Sequence, residues 1–144
     1  MLPPMLRDNL SILHVEDNEI DRINVKRAFS RHDIQYPLFQ VNNGQEAVEF
    51  LKDFQPHASA PTKLVLLLDI NMPVMSGLEL LETIRANDDW KHLPVFIMTT
   101  SDNESDKEAA YGLNVSGYIV KPLSLDKFNL AITTLTKYWQ LIRQ

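Results

Sequence analysis

The chain contains no cysteine, which excludes disulfides and thiol chemistry and suits a cytoplasmic protein. No apolar run approaches the ~18 residues of a membrane-spanning helix. Residues Met1 to Asn9 hold two prolines and one arginine and no apolar stretch of signal-peptide length. There is no basic excess either: 14 Lys and Arg against 19 Asp and Glu give a formal net charge of −5, the wrong sign for nucleic-acid or anionic-membrane partners. Internal repeats and low-complexity tracts are also missing. What is present is 144 residues, 44% hydrophobic and 23% charged, the size and balance of one globular domain. The expectation is a short arm over 1–9 and a single domain over 10–144.

The stretch Leu64 to Pro73 organises the rest. Its apolar residues run without alternation and stop at Asp69. Such a run suits a strand covered on both faces, as in a parallel sheet, with the acid at the strand's carboxyl end, where open α/β sheets place their ligand sites. Four further strands are predicted over Ser11–Val15, Tyr36–Val41, Leu93–Thr99 and Gly117–Val120. Helices are expected over Ile20–Arg31, Gln45–Phe54, Gly77–Ala86, Ser105–Leu113 and Ser124–Arg143. In the first, Ile20, Ile23, Ala28 and Phe29 form a partial apolar stripe. Asp17 or Asn18 stands at its start, and Ser76 with Glu79 and Ser105 with Glu108 read as capping boxes for the third and fourth. Gln55 to Lys63 reads as a surface loop, and His14 as a packing histidine. Five strands alternating with five helices predict an α/β fold with a five-stranded parallel sheet and helices on both faces.

All carboxyl ends of a parallel sheet lie along one edge. The first strand ends in Glu16-Asp17, the third in Asp69, the fourth in Thr99 and the fifth in Lys121. Three converging carboxylates repel unless a cation sits among them. A hard divalent ion held by few carboxylates, with water and phosphate completing its shell, is the Mg²⁺ pattern. Thr99 and Lys121 then suit an oxyanion beside the metal, and the set suits phosphoryl transfer to Asp69.

Taken together, these motifs resemble the receiver domain of two-component response regulators over about Ser11 to Arg143. The resemblance implies a flavodoxin-like strand order 2-1-3-4-5 and a phosphoryl group received on Asp69 from a sensor histidine kinase. It implies Mg²⁺ on Glu16, Asp17, Asp69 and the Asn71 carbonyl, and phosphoryl contacts from Thr99 and Lys121. It further implies a switch in which Tyr118 follows Thr99, and a cis bond from Lys121 to Pro122. Ser76 stands where many members carry Asp, and still caps a helix; Ser101, with Asn71, can influence how water reaches an acyl phosphate. Softer likenesses (Thr99-Thr100-Ser101, the loop before the third strand, Leu93-Pro94, Trp139) are similar to the stand-alone cyanobacterial phytochrome response regulators, which implies a bacterial phytochrome as the kinase. The alternatives are a phosphorelay intermediate or phosphate sink, and a receiver that binds without being phosphorylated. A haloacid-dehalogenase-type phosphatase wants a second Asp two residues after the first. Asn71 occupies that place, and an amide cannot cycle a proton. A flavodoxin would need hydroxyls and amides where Glu16 to Glu19 is acidic.

With the chain stopping at Gln144, output is expected from the domain's own surface. A helix from Ser124 to Arg143 would extend ~30 Å, beyond the ~17–20 Å of an ordinary strand. Phe128, Ile132, Leu135, Trp139 and Ile142 recur in alternating steps of four and three, a heptad-like seam. The first half of that stripe reads as core and its final turns as overhanging the sheet; Phe128, Leu135, Tyr138, Trp139 and Ile142 are the candidate homodimer or partner residues. Trp139→Ala should weaken self-association while sparing phosphoryl uptake; an unchanged dissociation constant by sedimentation rules that seam out.

Overall fold

A computed structural model describes residues 10–31, 36–54, 63–122, 124, 126–130 and 133. Five strands, β1 (Leu10–Val15), β2 (Leu38–Val41), β3 (Lys63–Leu68), β4 (Val95–Thr99) and β5 (Gly117–Val120), form one sheet in the order β2-β1-β3-β4-β5. Every pairing is parallel. Four helices alternate with them, α1 (Glu19–Arg31), α2 (Gly44–Asp53), α3 (Gly77–Ala86) and α4 (Glu104–Gly112), and residues 126–130 begin a fifth, α5. The expected architecture and strand order are both present.

The burial of the strands follows their position. β1 and β4 are buried throughout and β3 from its second residue onward, so their side chains feed cores on both faces. Leu13, Val15, Leu66, Leu68 and Ile97 pack with Ala47, Leu51, Leu80, Leu81, Ile84 and Ala110 of α2, α3 and α4. The alternate residues Leu10, Ile12, Val65, Leu67, Phe96 and Met98 pack with Val25 and Phe29 of α1 and with Phe128 of α5. The edge strands β2 and β5 are short and only half-buried. β4 begins at Val95 rather than Leu93, because Pro94 has no N–H for the ladder and serves through its carbonyl, which accepts from Leu66 at 2.9 Å.

Three expectations require correction. The buried face of α1 is Val25 and Phe29, whereas Ile20 is 68% and Ile23 40% exposed. At about 100° per residue, Ile23 lies roughly 200° around the helix from Val25 and cannot share its face. The cap of α4 is Asn103, whose side chain accepts from the backbone N–H groups of Ser105 and Asp106, so the helix starts before Ser105. Phe128, expected on a dimer seam, is a core residue only 1% exposed, packed on Phe29 at 5.9 Å and edge-on to Phe96 at 5.6 Å. Leu135, Tyr138, Trp139 and Ile142, the 1–9 arm and the loop over 55–62 lie outside the described residues. Ser76 caps α3 as expected, accepting from Glu79 N at 3.2 Å. Asn43 caps α2, its side chain accepting from Glu46 N, while the Glu46 carboxylate accepts from Asn42 N.

Away from the carboxyl edge, Arg85 ties three segments together. Its guanidinium donates to the carbonyls of Leu113 (2.7 Å), Leu93 (2.8 Å), Lys91 (3.1 Å) and Asn114 (3.1 Å), pinning the end of α3 to the loops before β4 and β5. Four acceptors in a fork suit a planar guanidinium and not an ammonium. Arg85→Met should lower unfolding free energy in urea by about 2–3 kcal/mol, with Arg85→Lys recovering less than half; a loss below about 0.5 kcal/mol would show the clamp to be ornamental.

Candidate functional site

The hydrogen-bond ladder runs one residue past three of the strands. Glu16 N donates to Val41 O, Asp69 N to Val15 O and Lys121 N to Thr99 O, at 3.1, 3.1 and 2.8 Å. Backbone register therefore sets Glu16 beside Asp69 and places Lys121 on the same edge two strands away, with β4 between, so that its long side chain reaches back across Thr99. The turn after β3 is tight: the Ile70 carbonyl accepts from Met72 at 3.1 Å and Gly77 at 2.8 Å. Gly77 is needed here, since a Cβ would overlap the Asp69 carbonyl oxygen. Close packing of α3's first residue on Asp69 fixes the backbone that carries the carboxylate.

Glu16, Asp17 and Asp69 offer carboxylate oxygens within 4.8 Å of one another. Glu16 and Asp69 are buried and Asp17 is exposed. Lys121 faces the group, with its Nζ 2.7 Å from Glu16 Oε1, 2.7 Å from Asp21 Oδ2 and 3.2 Å from Asp69 Oδ2. Burial of the Glu16 carboxyl, reinforced by Asp69 beside it and opposed by Lys121, pushes its pKa up to about 8. Burial works against the charge on Lys121, but Asp21, Glu16 and Asp69 outweigh it and hold the pKa above the ordinary lysine value. The residues present fit a divalent cation. The donors are all oxygens, one carboxylate is open to solvent, and a buried oxygen of Glu16 has no hydrogen-bond partner.

The remaining expected residues connect to this edge indirectly. Asn71 donates its backbone N–H to Asp69 Oδ1 at 3.2 Å and its amide to Thr99 Oγ1 at 3.3 Å. Buried Thr99 also accepts from Ser101 N at 3.3 Å. Ser101 passes the connection on: its hydroxyl donates to Asp106 of α4 at 2.6 Å, and its carbonyl accepts from the Tyr118 hydroxyl at 2.9 Å. Tyr118 is thus joined to Thr99 through one loop residue and does not touch the carboxylates directly. The bond from Lys121 to Pro122 is cis. His14 is fully buried with Gln40 Nε2 3.1 Å from its Nδ1. Burial and then Lys121 lower its pKa to about 4, so it packs as a neutral ring.

Asp21 and Arg22 escaped the sequence reading. Asp21 lies in the first turn of α1, and its partner is Lys121, a hundred residues later in the chain. Arg22 Nη1 donates to the Glu16 carbonyl at 2.7 Å, fastening α1 to the end of β1.

Residues 12–133 match the response regulator receiver domain family. The chain is 33% identical over 128 residues to the response regulator Rcp1 of Synechocystis sp., covering 89% of this chain and 87% of Rcp1. It superposes on the Mn²⁺-bound form of Rcp1 with a TM-score of 0.67 at 32% identity, covering 91% of this chain and 94% of that one. It also superposes on the phosphorylated cyanobacterial phytochrome response regulator RcpA with a TM-score of 0.69 at 29% identity, covering 92% and 94%. Among the described residues, no helix is long and apolar enough to cross a membrane.

A cation bound at these carboxylates requires Glu16 ionised, so protons compete with it. Mg²⁺ affinity should rise from about pH 6 to about pH 8 and then level off, because the metal-free carboxyl titrates near 8. Calorimetry at about pH 7 in two buffers of different ionisation enthalpy should detect proton release; an affinity independent of pH contradicts a metal role for Glu16.

Proposed function

Because this chain belongs to the response regulator receiver family, we propose that Asp69 receives a phosphoryl group from a sensor histidine kinase, in a two-component pathway, with Mg²⁺ as the working ion. The observation that carries this reading is the contact of a buried strand-end carboxylate with a lysine that two further carboxylates hold in place. An Asp69 carboxylate oxygen attacks phosphorus, the P–O bond forms as the P–N bond to the donor imidazole breaks, and the imidazole leaves with its bonding pair. Lys121 neutralises the charge gathered on the phosphoryl oxygens, and the Thr99 hydroxyl turns toward them.

Glu16, Asp17, Asp69 and the Asn71 carbonyl would hold the ion, which when bound supplies the positive charge that lets a carboxylate and a phosphoryl group approach. Its support is the all-oxygen cluster and the Mn²⁺-bound relative. The role is that of a phosphoacceptor signalling domain rather than a turnover enzyme, working in the cytoplasm. The Asn71 amide, engaged with Thr99, offers no acid or base for a phosphatase cycle.

For output, phosphorylation adds charge that draws in Thr99 and Lys121. Any displacement of Thr99 pulls on Ser101, and through it on Tyr118 and Asp106 of α4, so the β4–α4 loop and α4 report the state of Asp69. Similarity to phytochrome response regulators supports a bacterial phytochrome as the kinase, and the heptad-like apolar spacing in the sequence from Leu135 to Ile142 supports a homodimer as the signalling form.

Intact mass after incubation with Mg²⁺ and a small acyl-phosphate donor tests the reading. One added phosphoryl group is expected, absent without Mg²⁺ and absent in Asp69→Asn. An adduct that survives in Asp69→Asn places the acceptor elsewhere.

A further inference from the structure

Asp21 is the third carboxylate on Lys121, at 2.7 Å, and it stands outside the cluster of Glu16, Asp17 and Asp69 that fits a cation. A lysine ammonium has three N–H donors and no acceptor; it donates to Asp21 and Asp69, and the Glu16 carboxyl lies 2.7 Å away without a hydrogen bond of its own. On the phosphoacceptor reading of Asp69, two of these have other work in the loaded state. Glu16 turns to the ion, and Asp69 becomes the acyl phosphate. Among the described residues, Lys121 is the cation paired with Asp21.

Its mounting is firm. Asp21 sits in the first turn of α1, and its own N–H is held by Asn18 Oδ1 at 3.0 Å. The next residue is fastened to the sheet twice, by Arg22 Nη1 on the Glu16 carbonyl at 2.7 Å and by Gln40 Nε2 on the Arg22 carbonyl at 2.9 Å. Lys121 is the opposite case: a point charge on a flexible four-carbon stem that must lose rotamer freedom to meet an oxyanion.

We propose that Asp21 is a positioning residue: it keeps one donor of Lys121 and so aims the other two at the phosphoryl oxygens on Asp69. The ordering of the lysine stem then takes place on folding, before the phosphoryl group arrives, which is preorganisation. A competitor for Lys121 would have the opposite effect, since its removal would free the ammonium for the phosphoryl group.

The sign of the effect decides between them. The probe is beryllofluoride with Mg²⁺, bound by the full chain and followed by fluorine NMR. Asp21→Ala should weaken binding about tenfold, the size of one charge-assisted hydrogen bond. Asp21→Asn, which keeps an acceptor in place, should recover at least half of that loss on a logarithmic scale. In a Lys121→Met background, Asp21→Ala should change affinity less than about twofold. In the metal-free protein, the same two substitutions should be non-additive in urea unfolding. Unchanged or tighter binding by Asp21→Ala overturns the proposal, as does equal weakening with and without Lys121. Should Lys121→Met not fold, equal weakening by Asp21→Ala and Asp21→Asn overturns it instead. A wild-type chain that fails to bind beryllofluoride removes the phosphoacceptor reading, and this proposal with it.

Discussion

One ammonium group among carboxylates is the constraint on which the carboxyl edge depends. Two unit charges about 4 Å apart repel by about 4 kcal/mol at an effective dielectric constant of ~20, and a domain has only about 5–15 kcal/mol of net stability. Glu16 and Asp69 are buried together at that edge and cannot both be charged without help. The fold supplies Lys121 as an internal cation, and supplies it through backbone register: the residue after β5 is bonded to the last residue of β4, and the residue after β3 to the last residue of β1. Even so, one lysine does not balance the site: burial first, and Asp69 beside it, raise the Glu16 pKa against the pull of Lys121. The electrostatic shortage is the physical reason the edge suits both a divalent ion and a cation-assisted phosphoryl group.

The sheet was legible in the sequence because its central strands carry an unmistakable pattern. A run such as Leu64 to Leu68 has no alternation to misread and ends abruptly at Asp69, and the paired cores explain why it needs none. The errors fall where pattern is weakest. α1 buries only Val25 and Phe29, too few to define a stripe, so the exposed Ile20 and Ile23 were drawn into it. The start of α4 carries several residues able to cap a helix. Asn103 prevails because its side chain reaches two free N–H groups at once. Phe128 belongs to a seam whose beginning is core, and a heptad count cannot show where the sheet stops.

The candidate site was legible in its chemistry and not in its wiring. Glu16, Asp17, Asp69 and Lys121 converge as strand ends in any parallel sheet. Asp21 was missed because an ion pair spanning a hundred residues leaves no local trace. The necessity of Gly77 is equally invisible, since it comes from the carbonyl of Asp69 lying where a Cβ would sit. Ser101 was noticed for its effect on water. Its larger structural part is as the shared partner of Thr99, Asp106 and Tyr118, which gives the proposed switch a continuous hydrogen-bonded route from the carboxyl edge to α4.

On this account, the carboxylates around Lys121 hold the site ready, and loading moves the lysine from Glu16 to the phosphoryl oxygens while Asp21 keeps its hold. The measurement that tests it most directly is a crystal structure of the chain with Mg²⁺ and beryllofluoride. The account predicts fluoroberyllate on Asp69, Lys121 Nζ moved from Glu16 onto the fluorines, and the Asp21 contact retained. A fluoroberyllate adduct with Lys121 still paired to Glu16 and turned away from the fluorines would contradict it.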